Sequence, residues 1–201
     1  KYRVNFYCEQ NRDNMLTIYD VLQREAPYSP GLCTVAMALL GTVKGASDGA
    51  KAIAYATVAL NAIEHNSLMS TGGCMPLPAP TDQRIVCLRT LIERNLALGN
   101  KQEANKWYRH AVAQQSYKPG IAELKFLTDI ESLCGDKDKA IGLCRQLEAT
   151  IRSVDVHAYD LNTVRSLYEK LGANSDYQRL NEEHVRTQKS KAAKSFAEQH
   201  A

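Results

Sequence analysis

The sequence predicts an all-α protein: an α-solenoid of about five antiparallel helical hairpins, forming a single domain over residues 1–201. Two observations predict this fold. A helix–turn–helix pattern recurs at a nearly constant spacing, and apolar residues follow the 3.6-residue period of amphipathic helices. The alternation of apolar and polar residues that would predict a sheet is missing from the sequence.

The recurring pattern is clearest at three turns. Residues 96–104 and 132–140 can be superimposed, with Gly99 and Gly135 thirty-six residues apart, and Gly172 follows thirty-seven residues later. In the N-terminal half, Gly45 lies thirty-four residues beyond Asn11. These spacings are typical of helical repeats, which stack their hairpins and present an extended surface to a partner.

Four helices are predicted in the N-terminal half. The first is a short apolar run, 2–10, and the second ends before Pro27 and Pro30 because proline interrupts a helix. Ser47 or Asp48 can cap the fourth. The apolar stripes of the second, third and fourth helices are Met15, Ile18, Tyr19 and Leu22; Leu32, Val35, Ala36, Leu39, Leu40 and Val43; and Ala50, Ile53, Ala54, Leu60 and Ile63.

Six further helices are predicted after residue 82 from the same periodicity. They bring the total to ten helices, which pair in chain order into five hairpins. Their apolar positions are Ile85, Val86, Ile92 and Leu96; Ala104, Trp107, Tyr108, Ala111 and Val112; Ile121, Leu124, Leu127, Ile130 and Leu133; Ala140, Ile141, Cys144 and Leu147; Leu161, Val164, Leu167, Tyr168 and Leu171; and Tyr177 and Leu180.

Two segments depart from this pattern. Residues 66–82 contain three prolines and two glycines, which predicts a non-helical insertion loop. It is either a surface insertion or an arm that docks on a partner. Residues 189–201 form a basic C-terminal tail carrying Lys189, Lys191 and Lys194, interpreted as a solvated helix end, with a docking or nucleic-acid-binding tail as the alternative.

Composition excludes several classes of protein. The net charge of +3 is too small to indicate nucleic-acid binding by itself, and charges interrupt every long apolar stretch, so no membrane insertion is expected. The six cysteines include no Cys-x-x-Cys pair and no histidine spaced to complete a zinc site. Most lie in helical patterns, which predicts buried free thiols and a reducing compartment; the spacing of Cys134 and Cys144 leaves an oxidised helical hairpin as the alternative.

The sequence contains no pattern that indicates an enzyme. Catalysis needs a convergent set of groups, and none of the five histidines has a cysteine, serine or aspartate partner that the sequence can place. Phosphate-binding glycine motifs that follow a strand are missing as well. We therefore expect a non-catalytic protein without a cofactor or a bound metal.

Several segments resemble pentatricopeptide repeats. Residues 5–22 carry the tyrosine–cysteine pair of that family, Tyr7-Cys8, before a turn and the hydrophobic spacing of its second helix. Tyr28-Ser29-Pro30 and Tyr117-Lys118-Pro119 resemble its junctions between repeats, and residues 167–172 resemble the end of a first helix. The resemblance covers most of the chain outside 66–82 and the last dozen residues, and it implies the same α-solenoid.

The resemblance also implies which residues would face a ligand. Members of this family usually bind single-stranded RNA in mitochondria or chloroplasts, one base per repeat. The base-selecting positions of the first helix correspond here to Ala36, Arg89, Lys125 and Asn162, and the partner positions to Gly31, Arg84, Gly120 and His157. Only Asn162 has the expected polar character, so the chain does not carry a readable RNA code. By the resemblance, Arg84, Arg89 and Lys125 share the inner side of the array.

The predicted function is therefore that of a structural or adaptor subunit. Degenerate members of this family serve as subunits of organellar assemblies, and a mitochondrial ATP synthase fits a short chain with few repeats best. The expected partners are protein subunits of such a complex, contacted through Arg84, Arg89, Lys125 and Asn162. The alternatives are an organellar single-stranded RNA-binding protein and a mitochondrial ribosome subunit.

Overall fold

A computed structural model describes residues 12–43, 48–69, 81–114, 119–154 and 159–199. All the regular structure in these ranges is helical, which confirms the all-α class. The helices are α1 (Arg12–Glu25), α2 (Pro30–Thr42), α3 (Gly49–Met69), α4 (Thr81–Ala97), α5 (Lys101–Ala113), α6 (Ile121–Cys134), α7 (Lys137–Ser153), α8 (Tyr159–Leu171) and α9 (Asn174–Gln199). They correspond in order to nine of the ten predicted helices, and the predicted helix over 2–10 lies outside the described residues.

The chain divides into two compact units, residues 1–115 (unit 1) and 116–201 (unit 2). Unit 1 contains α1 to α5 and unit 2 contains α6 to α9, and each helix packs mainly on its sequence neighbours within its unit. The single array over 1–201 stays a prediction.

The core of unit 1 forms where α2, α3 and α4 meet, and the side chains of Leu32, Leu60 and Leu91 are completely buried there. The rings of Tyr19 on α1 and Tyr55 on α3 meet edge to face, 5.3 Å apart. Leucine and tyrosine side chains remove large apolar areas from water, so these contacts stabilise the unit.

Alternate helices of unit 1 run in the same direction. The Cys33 thiol lies 3.9 Å from Gln83 Oε1, and the Cys87 thiol lies 3.5 Å from Met37 Sδ. Both contacts join α2 to α4 over a separation of fifty residues. A constant separation requires parallel helices in register, as expected of the first helices of successive hairpins.

Unit 2 repeats this arrangement with charged residues. Three ion pairs join α7 to α9, and each separates its partners by thirty-one residues: Arg145–Asp176, Glu148–Arg179 and Arg152–Glu183. The signs alternate along both helices, so a shift of one turn would place like charges together. Tyr168 of α8 and Leu147 of α7 are buried in the apolar core beside these pairs.

Two of the three glycine turns adopt the left-handed conformation. Gly99 has a φ of 77° and Gly172 a φ of 63°. At each, the amide of the following residue donates to a carbonyl five residues back, which closes a Schellman cap on α4 or α8. The middle turn differs because Gly135 has a φ of −114°, and the buried Glu131 carboxylate receives the Asp136 amide and pairs with Lys139.

The predicted insertion loop is shorter in the structure than 66–82. Helix α3 continues to Met69 and α4 begins at Thr81. The prediction was wrong at the loop's ends because residues 66–69 contain no proline or glycine, and the last proline, Pro80, directly precedes α4. Asn66 also anchors α3, since its amide donates to the carbonyls of Ala62 and Tyr28 at 2.7 and 2.9 Å. Residues 70–80 lie outside the described residues.

The predicted basic tail belongs to α9, whose backbone is helical to Gln199. Val185 is 42% exposed, and the residues from Arg186 to Ser190 are exposed as well. Of the predicted segment 189–201, burial is described for Lys189 and Ser190, which are exposed, and the solvated helix end stays a prediction.

Candidate protein-binding groove

The predicted contact residues of unit 1, Arg84 and Arg89, lie on α4. They are five residues apart, which corresponds to about 140° around a helix axis, so their side chains leave α4 in different directions. Arg84 is directed toward α3, with its Nε 3.9 Å from Glu64 Oε1. Both arginines lie on one helix, but the helical geometry places them on different faces of it.

Glu64 connects three helices of unit 1. Its Oε1 lies 2.7 Å from His110 Nε2 of α5, and Gln114 Nε2 donates to the same oxygen at 3.4 Å. The edge of Trp107 packs on the His110 ring at 5.8 Å. Because the carboxylate offsets the charge of Arg84, this arginine is a weaker phosphate contact than its position in the sequence indicates.

The predicted contact residues of unit 2 lie on its two first helices. Lys125 is exposed on α6. Asn162 of α8 is half-buried at a cleft of about 70 Å³ between α8 and α9. Thus the four predicted residues belong to two units, two in each.

A larger groove of about 390 Å³ lies in unit 1 between the parallel helices α2 and α4, with Ala52 of α3 at its base. Its α2 wall carries apolar residues and α4 adds Thr90, Glu93 and Arg94, so polar and apolar atoms share the exposed lining about equally. Val86 on one wall is 45% exposed. The lining residues of α2 and α4 are Met37, Leu40, Gly41, Val43, Val86, Thr90, Glu93 and Arg94.

Three of these lining residues, Leu40, Val43 and Val86, belong to the predicted apolar stripes. Val86 is not buried, because it faces solvent over nearly half its surface. The sequence feature that could have revealed the groove is the composition of α2. This helix is apolar on all sides rather than along one stripe. A helix of this kind either is fully enclosed or leaves an apolar face for another molecule.

Gly41 leaves the α2 wall of the groove without a side chain at its position. A Cβ atom built on Gly41 meets no atom within 4 Å, so a side chain there would extend into free space. Met37 on the same wall has a flexible thioether side chain, which adapts to differently shaped apolar groups. The groove can therefore receive an apolar side chain without rearrangement of α2.

The described cysteines, Cys33, Cys87, Cys134 and Cys144, are free thiols. Burial is the main cause that raises the pKa of Cys87 and of Cys144 to about 12. These two thiols are thus protonated at neutral pH and are poor nucleophiles and metal ligands. Among the residues that the structure describes, no cluster of three or more histidine, cysteine, aspartate or glutamate side chains could hold a metal.

Comparison of the chain with protein-family models, with curated proteins and with solved structures finds no match. In the part of the chain that the structure describes, no helix has both the length and the apolar character needed to cross a membrane.

Proposed function

We propose that this chain is a non-catalytic adaptor subunit, an α-solenoid of pentatricopeptide-like hairpins that holds a segment of a partner protein in the groove of unit 1. The constant separations between α2 and α4 and between α7 and α9 support the solenoid in each unit. Parallel alternate helices are what stacked hairpins produce.

The groove is the observation that carries the proposal. It lies between two first helices, the position at which helical-repeat proteins receive an extended or helical segment. A flexible apolar wall with a polar rim matches the usual anatomy of protein interfaces, in which one apolar anchor contributes much of the binding free energy. The exposed carboxylate of Glu93 at the rim favours a lysine or arginine beside that anchor.

The assembly that we favour is mitochondrial, with an ATP synthase as the first candidate. This placement rests on the pentatricopeptide resemblance and on the failed RNA code at Ala36, Arg89 and Lys125. The four free thiols suit a reducing compartment.

Substitution of Gly41 tests the proposal. A Gly41→Trp variant fills the groove while leaving the core untouched, because the new side chain enters open space. Gly142 on α7 offers a matched control, since a Cβ there also meets no atom within 4 Å. We expect a tagged full-length chain, purified from its native cells at physiological salt, to bring down a stoichiometric set of proteins that survives ribonuclease. Gly41→Trp should remove the direct partner and Gly142→Trp should retain it.

A photocrosslinker placed at the exposed Val86 position identifies the segment that occupies the groove. Retention of the crosslink in the Gly41→Trp variant would contradict the proposal. Loss of all partners on ribonuclease treatment, with binding that weakens steeply as salt rises, would instead support RNA binding. In that case the joint charge reversal of Arg89 and Lys125 should abolish binding.

A further inference from the structure

The cleft between α8 and α9 in unit 2 contains an arginine whose charge has no carboxylate partner among the described residues. Arg165 of α8 is half-buried, and its Nη1 donates to the neutral amide oxygen of Asn181 at 3.1 Å. By contrast, each of the arginines that join α7 to α9, Arg145, Arg152 and Arg179, donates to a carboxylate. Arg165 therefore holds its position through a neutral group and keeps its positive charge available.

The acidic residue that lines the cleft, Glu183, pairs with Arg152. Both of its carboxylate oxygens receive hydrogen bonds from Arg152, at 3.1 and 2.7 Å. A bidentate pair of this kind is strong and fixed in direction. Because Arg152 pairs with Glu183, the charge of Arg165 is not balanced by the carboxylate that the described lining contains.

The remaining polar groups at the cleft suit an anion. Asn162 and Gln188 contribute amide donors and His184 contributes an imidazole, whereas the Thr187 hydroxyl already donates to the Glu183 carbonyl at 2.9 Å. Leu161 and Leu180 provide an apolar base. With a volume of about 70 Å³, the cleft accommodates a group the size of a carboxylate and not a whole side chain or nucleotide.

We propose that the α8–α9 cleft is a subsite for the carboxylate of an aspartate or glutamate of the partner protein, bound by Arg165 with Asn162 and His184 beside it. The planar guanidinium matches the two oxygens of a carboxylate, which gives directional recognition that a lysine would not. This inference rests on the proposed adaptor function for the identity of the partner, but the subsite itself is independent of the groove in unit 1.

Titration of the full-length chain with N-acetyl-glutamate tests the subsite. The imidazole resonance of His184, assigned by its loss in His184→Gln, should shift and saturate. Arg165→Gln retains a donor for Asn181 but removes the charge, and it should weaken binding at least tenfold. Arg186→Gln is the matched control because Arg186 lies on α9, is 81% exposed and pairs only at the surface with Glu182. It should leave binding unchanged.

A parallel titration with inorganic phosphate at equal ionic strength distinguishes the two oxyanions. Saturation by phosphate with no response to N-acetyl-glutamate would overturn the carboxylate assignment. A linear, unsaturated response to both, or an equal loss in Arg165→Gln and Arg186→Gln, would overturn the subsite altogether. Neither result depends on the Gly41→Trp experiment, so the proposal for the subsite and the proposal for the groove are tested independently.

Discussion

Glu148 of α7 accepts four hydrogen bonds from three side chains. Two come from Arg179, one from Arg152 and one from the Tyr168 hydroxyl. Burial of Glu148 disfavours its charged form, but these hydrogen bonds outweigh that effect and lower its pKa from 4.5 to about 2. The carboxylate thus ties α7 to both α8 and α9.

The depressed pKa predicts an acid-sensitive stability. A group whose pKa is lower in the folded state stabilises it above the unfolded pKa, and that contribution is lost as pH falls through the folded pKa. The free energy of unfolding should therefore decrease from about pH 4.5 toward about pH 2. Chemical denaturation across this range measures it.

Glu148→Gln should remove most of that pH dependence and lower stability at pH 7 by about 2 kcal/mol. This is below the loss for a fully buried pair, because Arg152 and Arg179 stay 39% and 50% exposed. Glu182→Gln, whose carboxylate is 69% exposed, is the control and should change stability little. An unchanged pH profile in Glu148→Gln would contradict this assignment.

At the scale of the helices, turns with similar sequences have different conformations. Residues 96–104 and 132–140 can be superimposed by sequence, yet only the first has a left-handed glycine. At the second, the Glu131 side chain accepts the Asp136 amide. A single buried carboxylate therefore takes part of the capping role that the backbone performs at Gly99.

Substitution of glycine by alanine should change stability in opposite directions at the left-handed turns and inside a helix. Gly99→Ala and Gly172→Ala should each lower stability by about 1 kcal/mol, because a Cβ atom disfavours positive φ. Gly142→Ala should instead raise stability by up to about 1 kcal/mol, since Gly142 lies inside α7 with free space around it. Thermal and denaturant unfolding of the three variants checks the order, and equal losses would contradict it.

At the scale of the whole chain, each unit has a core of its own. The core cluster of unit 2 draws all its residues from between Leu124 and Leu180. In repeat proteins, stability comes mainly from contacts between neighbouring hairpins, so a part that retains those contacts can fold alone.

We therefore expect the fragment 116–201 to be helical and to unfold cooperatively by circular dichroism. Tyr168→Ala in that fragment should abolish cooperative unfolding, because Tyr168 is completely buried and bonds to Glu148. Arg186→Ala, at an exposed position, is the matched control. A fragment without a cooperative transition would show that unit 2 needs unit 1 to fold.

The sequence by itself determined the all-α class, nine helices of the described residues in their order, and the glycine turns. These features are local, since helical periodicity, prolines and caps act within a few residues of each other. The tertiary structure alone decided that Glu64 offsets Arg84, that Val86 lines a groove, and that Arg165 has no carboxylate partner among the described residues. Each of these depends on which faces of distant helices meet, and the pattern along one helix does not specify its neighbour's register.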